Sequence, residues 1–165
     1  MSEPSAKETV IECRGLWKVF GDKSQAAMRA IQSSGIGKLQ VRDQFDCVVG
    51  VQDASFTVGE GEIFCIMGLS GSGKSTLIRH VNRLIEPTAG EIVIEGEDIN
   101  RLGSAALRKL RAEKIGMVFQ NMALMPHKTV RDNGAFALEV RGMARKQRFD
   151  IAARAIDAVE LNGWD

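Results

Sequence analysis

The sequence lacks most of what would place it outside a reducing, aqueous compartment. Its three cysteines, Cys13, Cys47 and Cys65, form an odd set without CxxC spacing, so all three are read as reduced structural thiols and no disulfide framework is expected. The opening MSEPSAKET has no apolar stretch of the kind a secretory leader uses, which makes the cytosol the expected compartment. Long hydrophobic runs are missing as well: the longest wholly apolar one, Ile63 to Met67, is five residues against the roughly 20 of a membrane-spanning helix. Neither sign of charge prevails, with 22 Lys and Arg against 21 Asp and Glu. The net charge of +1 creates no global field toward nucleic acid or anionic lipid. Repeats and low-complexity segments are absent. The two histidines, His80 and His127, have no second His or Cys at ligand spacing and read as structural or surface residues.

What is present is an ordinary globular mix, 44% hydrophobic and 26% charged over 165 residues, enough for one domain with a real core. Val10 to Phe20 reads as a strand, a turn near Arg14 and Gly15, and a second extended piece. From about Gly21 to Gly50 the character turns helical, with a break at Ser33-Ser34-Gly35, so an inserted helical excursion is expected. Val48 to Val58 returns to strand composition. The unbroken apolar run Ile63 to Met67 is expected to form a strand covered on both faces, with Cys65 buried inside it. Leu77, Ile78, Val81, Leu84 and Ile85 share one helical face, and Pro87 bars its continuation. A strand over Glu91 to Glu95, a helix over Ser104 to Arg111 and a second buried strand over Ile115 to Gln120 follow. The tail reads as two helices, Thr129 to Gly142 and Ala144 to Leu161, with Thr129 and Asp132 spaced as a capping pair.

Between the first apolar run and its helix stands GLSGSGKST, Gly68 to Thr76, a match to GxxxxGK[ST]. That pattern arises by chance in a chain of this length about half a percent of the time at average composition. Gly71 and Gly73 permit backbone angles closed to other residues, so the N–H groups from Ser70 to Thr76 can turn inward around a phosphate. The helix N-terminus adds partial positive charge at the same point. Lys74 supplies a full charge for the β- and γ-phosphates, and the Ser75 hydroxyl is placed to ligate Mg²⁺. Gly68, Leu69, Ser70, Gly71, Ser72, Gly73, Lys74, Ser75 and Thr76 are therefore the expected site for ATP and Mg²⁺. A P-loop alone does not choose among kinase, switch and transport motor. Gln120, at the end of an apolar stretch, is an amide able to touch a metal or a water without adding charge.

The run from Val49 to Ile99, followed by KIGMVFQNMALMPHKTVRDN over Lys114 to Asn133, closely resembles the ATP-binding subunits of ABC-type importers. The stretch Ala123 to His127, with the insertion after Phe20, is most similar to the branch that imports glycine betaine, proline and related quaternary amines. The resemblance implies an α/β P-loop NTPase fold of the ABC ATPase type, residues 1–165 being the N-terminal portion of one ATP-binding domain. That portion comprises a helical insertion at about 21–50, the P-loop at 68–76, a Q-loop around 120 and the start of a helical subdomain at about 129–165. By the same resemblance Phe20 stacks on the adenine ring. Gln120 is the Q-loop glutamine that touches Mg²⁺ and the attacking water and connects the site to the membrane subunit. Lys74 and Gln120 are then the catalytic pair. Implied partners are a transmembrane permease, a second copy of the ATPase subunit and, indirectly, a solute-binding protein, at the cytoplasmic face of the inner membrane.

The sequence departs from that family pattern in one respect. No LSGGQ-like signature and no apolar strand ending in Asp-Glu occurs in it, so an incomplete ATPase without appreciable turnover is expected. A non-hydrolysing nucleotide-binding or subunit-interaction module, and a soluble P-loop phosphotransferase, stand as alternative readings. Arg141, Arg145, Lys146 and Arg148 form a basic cluster, expected to be a solvated face; with no aromatic interleaved among the four it makes no nucleic-acid site, and contact with a membrane partner or lipid headgroups is the functional alternative.

Overall fold

A computed structural model describes residues 8–119, 124–161 and 163. They fall into two compact units, Met1–Gly116 and Met117–Asp165. The first is built on strand β1 (Thr9–Phe20), which hydrogen-bonds β2 (Val48–Gly59) on one side and β3 (Ala89–Ile94) on the other, with the short β4 (Glu97–Asp98) beyond β3. All three pairings are antiparallel. The expected turn at Arg14-Gly15 does not interrupt β1. Gly15 takes a left-handed φ of 53° and the register to β2 shifts between Cys13 and Leu16 and again before Lys18, as bulges do. The bulges change the inward spacing from two to three, so that Cys13, Leu16 and Val19 are all buried. Cys13 and Leu16 join Val51, Ile92, Ile94, Ile99 and Leu110 in one core cluster, while Val19 enters a second with Ala27, Met28, Val41 and Cys47. Fully burying a side chain such as Leu16, Ile92 or Ile99 contributes about 1.5–3 kcal/mol.

The excursion between β1 and β2 consists of α1 (Ser24–Ser34) and α2 (Lys38–Phe45). The expected break is real: Gly35 ends α1 in the left-handed conformation, its N–H donating to the Ile31 carbonyl at 2.9 Å, a glycine stop. Helix α3 (Lys74–Val81) opens at the glycine-rich loop and turns Leu77 and Val81 to the first core cluster. It ends sooner than its apolar periodicity suggests. The carbonyls of Asn82 and Arg83 are taken by Arg111 of α4 (Ser104–Lys114), through Nε at 2.8 Å and Nη2 at 2.5 Å, and not by amides one turn further on. Arg83, at φ 52°, in turn donates Nη1 to the carbonyls of Ile99 and Leu102 at 2.7 and 2.8 Å. His80 is fully buried on α3 with Nδ1 2.7 Å from the Ile85 carbonyl. That partner requires a proton on Nδ1, and Nε2 is buried with no hydrogen-bond partner.

Two expected strands do not form. Residues 63–67 and 115–119 are extended chain without ladder partners, and Gln120 lies outside the described residues. An apolar run marks a segment suited to burial on both faces, but a strand exists only where another strand hydrogen-bonds it, and among the described residues none does so here. Ile63, Met67 and Val118 are consequently 91%, 89% and 98% exposed. Phe64 gains partial cover by stacking on Phe56 of β2, ring centroids 4.9 Å apart. Cys65, expected inside a core, is exposed, whereas Cys13 and Cys47 are buried.

The second unit is a helical hairpin of α5 (Val130–Val140) and α6 (Arg145–Ala158). Thr129 caps α5 as its spacing predicts: Oγ1 accepts from the Asp132 N–H at 3.1 Å and donates to the Asp132 carboxylate at 3.1 Å. The Asn133 amide ties the preceding turn to α5, accepting from the Met125 N–H at 2.8 Å and donating to the carbonyls of Met125, Lys128 and Thr129. Arg141, Arg145 and Lys146 are exposed, while Arg148 is drawn inward to Glu139 at 3.2 Å. No aromatic residue is interleaved among the four, but Phe149 follows them: the guanidinia of Arg145 and Arg148 lie 5.2 and 5.7 Å from the centre of the Phe149 ring. Arg145 stands one helical turn before that ring and Arg148 adjoins it in sequence, so both cations come within reach of its π-system. Among the described residues no helix is long and apolar enough to cross a membrane.

Two measurements check this packing. Burial, with the Glu12 carboxylate nearby, pushes the Cys13 thiol up to about 12, and Cys47 is buried away from reagents. A thiol-directed reagent at pH 8 should titrate one fast thiol in the native chain and three after denaturation, and Cys65→Ser should remove the fast one; rapid reaction of all three would contradict the fold. Burial also lowers the His80 pKa below its ordinary 6.5, with Lys18 opposing and Glu86 favouring the charged ring. The unfolded chain then binds the extra proton first, so the His80 contribution is complete above about pH 6.5 and is lost as pH falls below it. Denaturation midpoints between pH 7 and pH 5 should fall in the parent and fall less steeply in His80→Gln.

Candidate nucleotide-binding site

The glycine-rich loop, residues 68–73, leads directly into α3, whose first helical residue is Lys74. Gly73 precedes the helix at φ 94° with no side-chain cap, which leaves the first-turn N–H groups to whatever occupies the loop. The Lys74 ammonium folds back over the loop and donates to the carbonyls of Gly68 and Leu69, both at 2.7 Å. Ser72 N–H donates to the Leu69 carbonyl at 3.2 Å, and Leu77 N–H to the Gly73 carbonyl at 2.8 Å. The loop is thus closed on itself around a cation.

Its place in the fold is set by a backbone contact. A Cβ on Gly73 would collide with the Gly50 carbonyl oxygen in β2, so only glycine lets the start of α3 approach the sheet this closely. Gly50 lies in turn beneath Phe20: a Cβ there would be 2.5 Å from the ring carbon Cε2. Phe20 ends β1 opposite Val48 and is 40% exposed, the Lys18 ammonium standing 5.2 Å from the centre of its ring. The structure therefore brings Phe20 and the loop to the same end of the β1–β2 pair. Nothing in the sequence marked Gly50 as the link between them; an isolated glycine inside a strand pattern is the signal that points to such a close approach.

The other expected residues are distributed as follows. Ser75 and Thr76 lie in the first turn of α3. Gln120 lies outside the described residues. His80, near the far end of α3 from the loop, is spent on the Ile85 carbonyl, and His127 sits exposed in a turn. Among the described residues no group of three or more His, Cys, Asp or Glu side chains is arranged to hold a metal ion.

Comparison with known proteins gives the arrangement its relatives. Residues 51–164 match the ABC transporter family. The glycine betaine/proline betaine transport system ATP-binding protein ProV of Salmonella typhimurium is 48% identical over 154 residues, 93% of this chain and 38% of its own length. The glycine betaine transport ATP-binding protein OpuAA of Bacillus subtilis is 42% identical, over 96% of this chain and 38% of its own. The trimethylamine N-oxide transport system ATP-binding protein TmoW of Pelagibacter ubique is 40% identical, over 99% of this chain and 46% of its own. The chain thus spans less than half the length of these curated relatives. Among solved structures, the ATP-binding cassette MJ0796, a dimer in a post-hydrolysis state bound to ADP and Pi, superposes with a TM-score of 0.71 at 27% identity, over 93% of this chain and 58% of that one. With the family model matching more than half of the chain and relatives of 40–48% identity over more than nine-tenths of it, the chain belongs to the ABC transporter family.

Proposed function

We propose that this segment binds a nucleoside triphosphate with Mg²⁺ at Gly68 to Thr76, within the ATP-binding subunit of an importer for quaternary amines such as glycine betaine or choline, or for proline. The observation that carries the reading is the Lys74 ammonium held over the loop by two carbonyls at the uncapped start of α3. A cation so placed, beside a helix start without a side-chain cap, matches a polyphosphate chain. A cradle that side chains would fill supports the same fit: a Cβ on Gly68 would lie 2.7 Å from the Ser72 hydroxyl, and one on Gly73 would strike β2. The relatives' names support the solute class.

The chain's own residues have distinct tasks. The N–H groups from Ser70 to Thr76 orient the phosphates. Lys74 exchanges its two carbonyls for the β- and γ-phosphate oxygens and so holds the charge that develops on the γ-phosphate. Phe20 offers a face to the base. The Ser75 hydroxyl would hold the metal, and Gln120 would be its second contact and orient the attacking water. When bound, the metal neutralises phosphate charge. In the whole protein this subunit works as a homodimer on a transmembrane permease fed by a solute-binding protein, peripheral to the cytoplasmic face of the inner membrane.

Replacing Lys74 by Ala removes a charge-assisted contact of roughly 1.5–3 kcal/mol, or about ten- to hundredfold in affinity for Mg-ATP. Calorimetric titration checks this, and unchanged affinity would sink the assignment. Phe20→Ala should weaken ATP, ADP and GTP alike and leave inorganic triphosphate untouched, since the phosphates are held elsewhere. Equal losses for nucleotide and triphosphate would make Phe20 a support for the loop through Gly50 and not a base platform.

A further inference from the structure

The α1–α2 excursion has no part in the chemistry above, yet it meets the site at its neck. The chain leaves β1 at Gly21 and returns to β2 at Cys47, and the two crossing strands of backbone touch there: a Cβ on Gly21 would lie 2.6 Å from Cys47 Sγ and 3.0 Å from the Asp46 carbonyl oxygen. Gly21 is held at φ 125° and its carbonyl accepts from the Ser24 N–H at 3.1 Å, starting α1. Cys47 is fully buried and its thiol donates to the Phe45 carbonyl at 3.4 Å. Behind the neck the excursion has a core of its own, Ala27, Met28, Val41 and Cys47, which closes over Val19 of β1, the residue just before Phe20. Phe20 is therefore clamped on both sides in sequence, by Val19 in that core and by Gly21 against Cys47, while its ring edge rests on Gly50. A ring fixed at three points has little freedom left to move toward or away from the loop that Gly50 also positions.

We propose that the α1–α2 excursion is a positioning element for the nucleotide base: through Cys47 it seats Gly21 and so sets the distance between the Phe20 ring and the phosphate loop. Cys47 is a positioning residue, since it touches neither base nor phosphate. The inference rests on Phe20 being the base platform. Its signature is a loss confined to the base-dependent part of binding, because Lys74 is held by the carbonyls of Gly68 and Leu69 and not by the excursion.

The test compares affinities for ATP and for inorganic triphosphate, with Mg²⁺, in the full chain. Cys47→Leu, whose longer side chain pushes Gly21 aside, should lose about as much ATP affinity as Phe20→Ala, on the order of tenfold as expected for one base–aromatic stack, and leave triphosphate within about twofold. Cys47→Ser, which preserves size and the donor to Phe45, should bind as the parent does. In the double variant Phe20→Ala with Cys47→Leu, the second change should add nothing, since both act on one contact. Met28→Ala, which thins the excursion's core away from the neck, should give a smaller loss of the same kind, and it decides the matter if Cys47→Leu does not fold. Undiminished ATP affinity in Cys47→Leu or, in that case, Met28→Ala, equal loss of triphosphate, or losses that add in the double variant would overturn the proposal. A Phe20→Ala variant with full ATP affinity would instead overturn the base-platform reading beneath it.

Discussion

Two backbones in contact govern this site. Gly73, at the start of α3, lies against the Gly50 carbonyl of β2 with no room for a side chain between them, and both the loop and the ring of Phe20 take their positions from that meeting. A larger residue at either glycine would move a whole element, because a helix start and a strand carbonyl cannot yield as the tip of a flexible side chain can. The loop's chemistry is local to nine residues, but its location is a property of the sheet.

That division explains what was legible in the sequence. The loop stands out in the sequence because its turn glycines, its lysine and the helix start that follows fall within one short stretch. The stop at Gly35 and the Thr129–Asp132 cap were legible for the same reason, being built from residues close in sequence. The strands at 63–67 and 115–119 were not. Their composition describes a surface suited to burial, whereas a strand depends on partners elsewhere in the chain. The spacing of Cys13, Leu16 and Val19 also escaped a period-two reading, since bulges in β1 are set jointly with β2. The early end of α3 depended on Arg111, in a helix far along the chain.

Three arginines in this chain are used inward. Arg83 and Arg111 cap backbone carbonyls around the end of α3, and Arg148 is shared between Glu139 and the Phe149 ring. The planar guanidinium suits this, since its fork reaches two carbonyls at once without adjusting. In the basic cluster only Arg148 is so committed, and the other three residues stay exposed.

Lys74 likewise donates to backbone carbonyls, with one difference: its acceptors, those of Gly68 and Leu69, are exposed and belong to the loop that carries it. An incoming anion competes with them for the ammonium. A weakly charged ion such as chloride offers little beyond two well-placed carbonyls, whereas the oxygens of a polyphosphate offer several full negative charges along with acceptors for the loop N–H groups. The self-contact acts as a threshold, so that the loop's selectivity begins with the strength of what it must release.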